Sequence, residues 1–258
     1  MSRLPFVAVN AHDVLSRHGL DSFEALWTLD LAAVDAPNTG RGGWSSVHRL
    51  QLEDVNGELQ SFYLKRQDNH CTRTLQAPLG EPTFAREFRA VQQYAQLGIP
   101  ALEAAFFDRR ESQGHKQAVL LTRALDEYAP LDEWFDRWQE LSAAQKRTLL
   151  QAAGALVRAL HNAGVIHNCL YPKHIFLKLH GDGAGARLID LEKTRGAWFG
   201  QRDFVRDLET LNRRSTTPSR TQRMRFMLAY FGLRRLDADS KALVRRLLAR
   251  QAGKVAKR

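Results

Sequence analysis

The chain has 258 residues, 44% of them hydrophobic and 26% charged, with a formal net charge of +10. That length allows one large domain or two lobes and a sizeable buried core. No apolar run approaches the roughly 18 residues of a membrane span, and Met1 to Asn10 does not read as a signal peptide. Cys71 and Cys169 lie far apart without metal-ligand spacing, so a disulfide framework and a zinc site are both disfavoured and a reducing cytoplasm is expected.

The positive charge is concentrated at one end. From Arg213 to Arg258 there are 14 Lys and Arg against Asp237 and Asp239, a surplus of 12, which leaves the first 212 residues at about −2. Such a region suits a polyanion, whether membrane surface, phosphorylated glycolipid or nucleic acid, and it would equally serve as a solvated helix face.

In chain order, residues 12 to 31 predict one short helix, with Asp21 as its cap, Glu24 completing a box, and Phe23, Leu26 and Trp27 on its apolar side. The stretch Asn38-Thr39-Gly40-Arg41-Gly42-Gly43-Trp44-Ser45-Ser46-Val47 follows. Its glycines would let backbone N–H groups approach a phosphate, or simply make a tight hairpin. Alternation over Val47–Leu52 and Leu59–Leu64, broken at Asn56-Gly57, predicts a hairpin whose second strand ends at Lys65. Residues 70–82 read as irregular, and a helix is expected from near Thr83, which caps it, to a stop at Gly98, carrying Glu87 22 residues after Lys65. Ala101–Asp108 and Gln117–Thr122 read as two more strands, and Arg123–Pro130 as a linker before helical Leu131–Trp138.

The most informative stretch is Gly164 to Lys193. A helix with Leu149, Leu150, Ala153, Leu156, Val157 and Leu160 on one face leads into it. The apolar runs Ile175-Phe176-Leu177 and Leu188-Ile189 flank Gly181, Gly183 and Gly185 and predict a hairpin ending on the carboxylate Asp190. After it, Lys193–Arg202 is short, Asp203 opens another helix, and helices near 221–231 and 240–249 carry the basic surplus.

The form H-x-x-L-Y-P-K-H-I-F-L, from His167 to Leu177, ending in L-I-D-L-E-K, from Leu188 to Lys193, resembles the lipopolysaccharide core kinase family, the InaA, WaaP and Kdo-kinase group. The resemblance runs from about residue 20 to about 235 and is strongest to the InaA-type branch. It implies an α+β, protein-kinase-like bilobal fold: residues 1–122 as an antiparallel-sheet lobe, 123–130 as the hinge with Thr122–Leu125 near adenine, and 131–258 as a mostly helical lobe.

By this resemblance His167 and Leu170 match the kinase catalytic loop, and Asp190 matches the magnesium-holding aspartate that follows it. Gly40, Gly42, Ser45 and Val47 align with the glycine-rich loop over ATP. Lys65 would contact its α- and β-phosphates, with Glu87 as the partner of Lys65. Asp207 would brace the catalytic loop. Two positions depart from the kinase pattern: Cys169 stands for the catalytic aspartate and His174 for the metal-binding asparagine. A neutral thiol is a weak acceptor, so general-base help at 169 is lost, with Glu192 the nearest replacement in sequence. Imidazole at 174 suits softer metals than Mg²⁺.

The resemblance implies a cytoplasmic ATP- and Mg²⁺-dependent kinase acting on heptose or Kdo hydroxyls of the lipopolysaccharide inner core. Its acceptor is a glycolipid, and the basic C-terminal region, including Arg245, Arg246 and Arg250, would dock it on the anionic inner face of the membrane. A pseudokinase that binds nucleotide as a regulatory module and a basic nucleic-acid binder remain as alternatives. No nucleic-acid motif accompanies the charge, so a nucleic-acid partner is not expected.

Overall fold

A computed structural model describes residues 5–40, 42–74 and 77–255. The chain divides into two compact units, residues 1–95 with 102–126, and residues 96–101 with 127–258.

The first unit is built on a five-stranded antiparallel sheet. Its elements are β1 (Phe6–Val7), α1 (Val9–Arg17), α2 (Phe23–Thr28), β2 (Trp44–Glu53), β3 (Leu59–Asp68), β4 (Cys71–Thr74), β5 (Ala77–Pro82), α3 (Thr83–Gln96), β6 (Ala104–Ser112) and β7 (His115–Arg123), and the strand order is β1-β6-β7-β3-β2. Strand alternation sends Leu50, Leu52, Phe62, Leu64, Phe106, Val119 and Leu121 to one face, where Val14, Leu15, Phe23 and Leu26 of α1 and α2 close the core.

The short helix expected after Asp21 is α2, and a further helix, α1, precedes it and ends before Gly19, which takes φ +65°. The cap of α2 is Ser22, whose Oγ accepts from Ala25 N–H; Asp21 instead accepts from Ser16. Trp27 and Leu29 carbonyls at its far end are taken by one Nη of Arg66, the other Nη meeting His48 at 2.8 Å. Residues 70–82, expected to be irregular, form the β4–β5 hairpin, paired from Cys71↔Pro82 to Thr74↔Ala77. Local propensity missed it because Gly80 and Pro82 sit inside its second strand.

The second unit comprises β8 (Ala129–Pro130), α4 (Leu131–Asp136), α5 (Ala143–Asn162), β9 (Val165–Ile166), β10 (Ile175–His180), β11 (Gly183–Leu188), β12 (Arg195–Gly196), α6 (Gln201–Arg214), α7 (Arg220–Phe231) and α8 (Ala238–Val255). Short 3-10 turns lie at Trp138–Glu140, Pro172–His174 and Leu191–Lys193. Helices α5 and α7 each begin with a capping box, on Ser142 and Ser219. The expected central hairpin is β10 and β11, paired from Ile175↔Leu188 to His180↔Gly183. Gly154 lets α5 and α7 touch backbone to backbone: a Cβ there would stand 2.6 Å from the Phe226 carbonyl.

Two tryptophans of this unit, Trp134 and Trp138, pack inward. Trp138 is buried against Phe135, and the indole N–H of Trp134 donates to the Leu177 carbonyl. Helices α4 to α8 also enclose an apolar cavity of about 640 Å³, lined by Phe135, Leu150, Leu208, Met227 and Leu247, with Arg220 and Arg223 among its polar walls.

Candidate active site

In the first unit the residues singled out by the sequence, Lys65 and Glu87, lie on β3 and α3. Alternation along β3 buries Phe62 and Leu64 in the core and turns Lys65 and Gln67 to the other face. Phe88 seats α3 on the sheet, its ring stacked on Phe107 at 4.2 Å and tilted against Phe6 at 5.0 Å. Gln67 takes over the capping expected of Thr83: its Oε1 accepts from Phe84 N–H at 2.7 Å and from the Thr83 hydroxyl. With the helix pinned there, Lys65 Nζ donates to Glu87 Oε1 at 2.6 Å. Both side chains are largely buried, at 16% and 5% exposure, so the ammonium is held by a desolvated partner. Arg89 is committed to Glu81, a structural pair.

The glycine-rich stretch is a closed hairpin in which residues 33–38 run beside β2. Asn38 and Ser45 exchange both backbone hydrogen bonds at 2.9 Å, and Gly40 N–H donates to the Asn38 side chain. The Ser45 amide is therefore hydrogen-bonded within the hairpin. Val47 lies directly across from Lys65 on β3, and Gly42, at φ +80°, makes the turn. Gly43, which the motif reading passed over, is demanded by packing: a Cβ there would lie 2.1 Å from the Asp68 carbonyl.

In the second unit the loop after β9 is held from below by one carboxylate. Asp207, buried on α6, accepts His167 N–H at 2.7 Å on one oxygen and Asn168 N–H at 2.9 Å on the other. Its neighbours His161 and Tyr230 were not legible as site support, since His161 sits on an apolar helix face like any core residue. His161 lies 3.0 Å from the Tyr230 hydroxyl and 3.5 Å from Asp207. Burial, and then the Asp207 charge, push the Tyr230 hydroxyl well above the ordinary phenol range.

Above Asp207 the loop closes on itself. His167 Nε2–H donates to the Ile189 carbonyl at 2.9 Å, tying the loop to the residue before Asp190. Burial holds His167 below the ordinary histidine range, against the pull of the Ile189 carbonyl and of Asp207. Asn168 and Asp190 both adopt left-handed backbone, at φ +63° and +58°, a strained state that short polar residues tolerate. Cys169 is buried, and its carbonyl accepts His174 Nδ1–H at 2.9 Å.

That bond fixes the tautomer of His174. Its other nitrogen, Nε2, stands 3.1 Å from Asp190 Oδ2; the imidazole is buried and the carboxylate half-exposed. Burial lowers the His174 pKa against the Asp190 charge, which raises it. At 3.1 Å the two atoms can share a proton as an imidazolium–carboxylate hydrogen bond, and with Nε2 unprotonated both face the same point as ligands for a cation. The donor set, one imidazole nitrogen and one hard oxygen, fits a divalent cation that keeps its other positions for water or phosphate. Among the described residues no third His, Cys, Asp or Glu joins them. Glu192 lies in the turn Leu191–Lys193 that follows Asp190.

The chain has known relatives in sequence and in fold. A solved structure described as WaaP in complex with acyl carrier protein matches 98% of this chain and 98% of its own, at a TM-score of 0.69 and 22% identity. The fold is thus protein-kinase-like, as that of WaaP is. Protein InaA of Escherichia coli (strain K12) is 27% identical over 177 residues, covering 68% of this chain and 79% of the relative. The lipopolysaccharide kinase (Kdo/WaaP) family matches residues 24–230, and the chain belongs to that family.

Proposed function

We propose that this chain is an ATP- and divalent-metal-dependent phosphotransferase that modifies a heptose or Kdo hydroxyl of the lipopolysaccharide inner core, at the cytoplasmic face of the membrane. Family membership supports the class of reaction. The observation that carries the reading is the facing pair His174 Nε2 and Asp190 Oδ2, set at 3.1 Å beside a loop braced by Asp207. Such a pair has a purpose when a cation joins it, and phosphoryl transfer relies on cations and positioning more than on covalent help. Asp190 and His174 would hold the metal, which supplies charge neutralisation at the phosphates. Lys65, kept extended by Glu87, would neutralise the remaining nucleotide charge.

Calorimetric titration with ATP and Mg²⁺ or Mn²⁺ tests this directly. Binding is expected in the wild type and lost in Asp190→Asn and in Lys65→Ala. Absence of nucleotide binding in the wild type refutes the proposal. Phosphate transfer to purified inner-core lipopolysaccharide then separates an enzyme from a nucleotide-binding pseudokinase, the reading that Cys169 favours.

The partner named with WaaP, an acyl carrier protein, enters here as a candidate partner. The apolar cavity among α4–α8, with Arg220 and Arg223 in its walls, has the chemistry for an acyl chain near an anionic carrier. Co-purification with acylated but not unacylated carrier is the expected result, and equal recovery of both would exclude the cavity.

A further inference from the structure

Two large aromatic side chains, Trp198 and Phe199, stand 67% exposed on the segment that leads from β12 into α6. They are not on a frayed tail. Strand β12 pairs with β9, and Ala197 N–H donates to the Gly164 carbonyl at 2.7 Å. Phe199 N–H donates to Asp203 Oδ2, and the Arg202 and Asp203 amides close the turn onto Phe199 and Gly200 carbonyls. Arg195, bound to Asp203 through both Nη atoms, lies 4.9 Å over the Trp198 ring and supports it from beneath. A rigid turn therefore presents both rings to water, a cost that a partner would relieve.

The surroundings of the turn identify the partner. Between Lys193 and Arg206 the one acidic residue, Asp203, is buried and neutralised by Arg195, while Lys193, Arg202 and Arg206 are exposed. Immediately after the aromatics, Gln201 and Arg202 form one wall of an open depression of about 390 Å³ whose other wall is Arg246 and Arg250 of α8. Arg246 is tied to Gln201 at 2.7 Å, so the arginines and the aromatic turn form one continuous surface. Trp and Phe beside Lys and Arg, with no exposed carboxylate among them, is the composition of an interfacial membrane anchor.

We infer that the Trp198–Phe199 turn inserts into an anionic phospholipid surface, with Arg202, Arg246 and Arg250 receiving lipid phosphates. This goes beyond docking through the C-terminal basic residues alone, and it rests on the proposed function only in giving that docking a purpose. Sedimentation of the full chain with phosphatidylcholine vesicles, with and without phosphatidylglycerol and free of nucleotide and lipopolysaccharide, tests it. The wild type is expected to bind only the anionic vesicles, less so in high salt. Trp198→Ala with Phe199→Ala should weaken that binding about tenfold or more. Arg202→Gln with Arg246→Gln should weaken it too, each charge being worth about fivefold. Brominated lipid should quench wild-type tryptophan emission more than that of Trp198→Phe. Failure of the wild type to bind anionic vesicles, or unchanged binding by the aromatic variant, overturns the inference. So does an aromatic variant that binds vesicles normally but needs more soluble acceptor sugar, which would assign the rings to the acceptor. Failure of the kinase reading would show separately, as absent nucleotide binding in the calorimeter.

Discussion

Cys169 is where the chemistry of this loop is weakest, and it offers the sharpest residue-scale test. Its backbone carbonyl accepts from His174, and the family resemblance puts its side chain at the position of the kinase carboxylate proposed to orient the acceptor hydroxyl. Cys169→Asp is expected to raise turnover on inner-core lipopolysaccharide by about 10²-fold, the low end of general-base help, with nucleotide affinity unchanged. Single-turnover phosphate transfer measures it, and equal rates would place the base elsewhere.

The histidines give a pH prediction. His167 and His174 are both held below the ordinary histidine value, chiefly by burial. An unfolded chain, with histidine pKa near 6.5, therefore takes up protons that the folded chain refuses. Stability should be complete above about pH 6.5 and fall as pH drops through it, still above the carboxylate range. Thermal melts from about pH 5 to 8 should show this, with a shallower slope in His174→Asn.

At the scale of elements, the Lys65–Glu87 pair joins β3 to α3 and invites a double-mutant cycle. Removing Lys65 leaves the buried Glu87 carboxylate alone and should cost about 3–5 kcal/mol, much of it restored when Glu87→Gln is added. Chemical denaturation reads both. Helices α5 and α7 give a second case. Gly154→Ala would press a Cβ against the backbone of α7 and should destabilise the fold by about 1–3 kcal/mol, a fall of several degrees in melting temperature. Asp207 works similarly between α6 and the loop after β9, since its loss orphans the buried His167 N–H and the part-buried Asn168 N–H, at up to about 1–3 kcal/mol each.

For the whole molecule, nucleotide and metal together should raise the melting temperature, because a ligand at 100 times its Kd adds about 2.7 kcal/mol. Asp190→Asn should abolish that shift while leaving the ligand-free melt in place. No described helix is long and apolar enough to cross a membrane.

Sequence alone was enough for the strands flanking Asn56-Gly57, the hairpin ending at Asp190, the helix carrying Glu87, and the kinase-like assignment. For the strands, the hairpin and the helix those signals are periodicities and spacings, which are local and survive in one dimension; the kinase-like assignment came from the resemblance carried by His167–Leu177 and Leu188–Lys193. Tertiary structure decided what those residues do to one another. It assigned helix capping to Gln67 rather than Thr83, spent the Ser45 amide on Asn38, made Gly43 the obligatory glycine, and brought His161 and Tyr230 beneath Asp207. Each of these depends on which groups lose water together and which lone pairs then face each other, and a linear chain in solvent imposes neither.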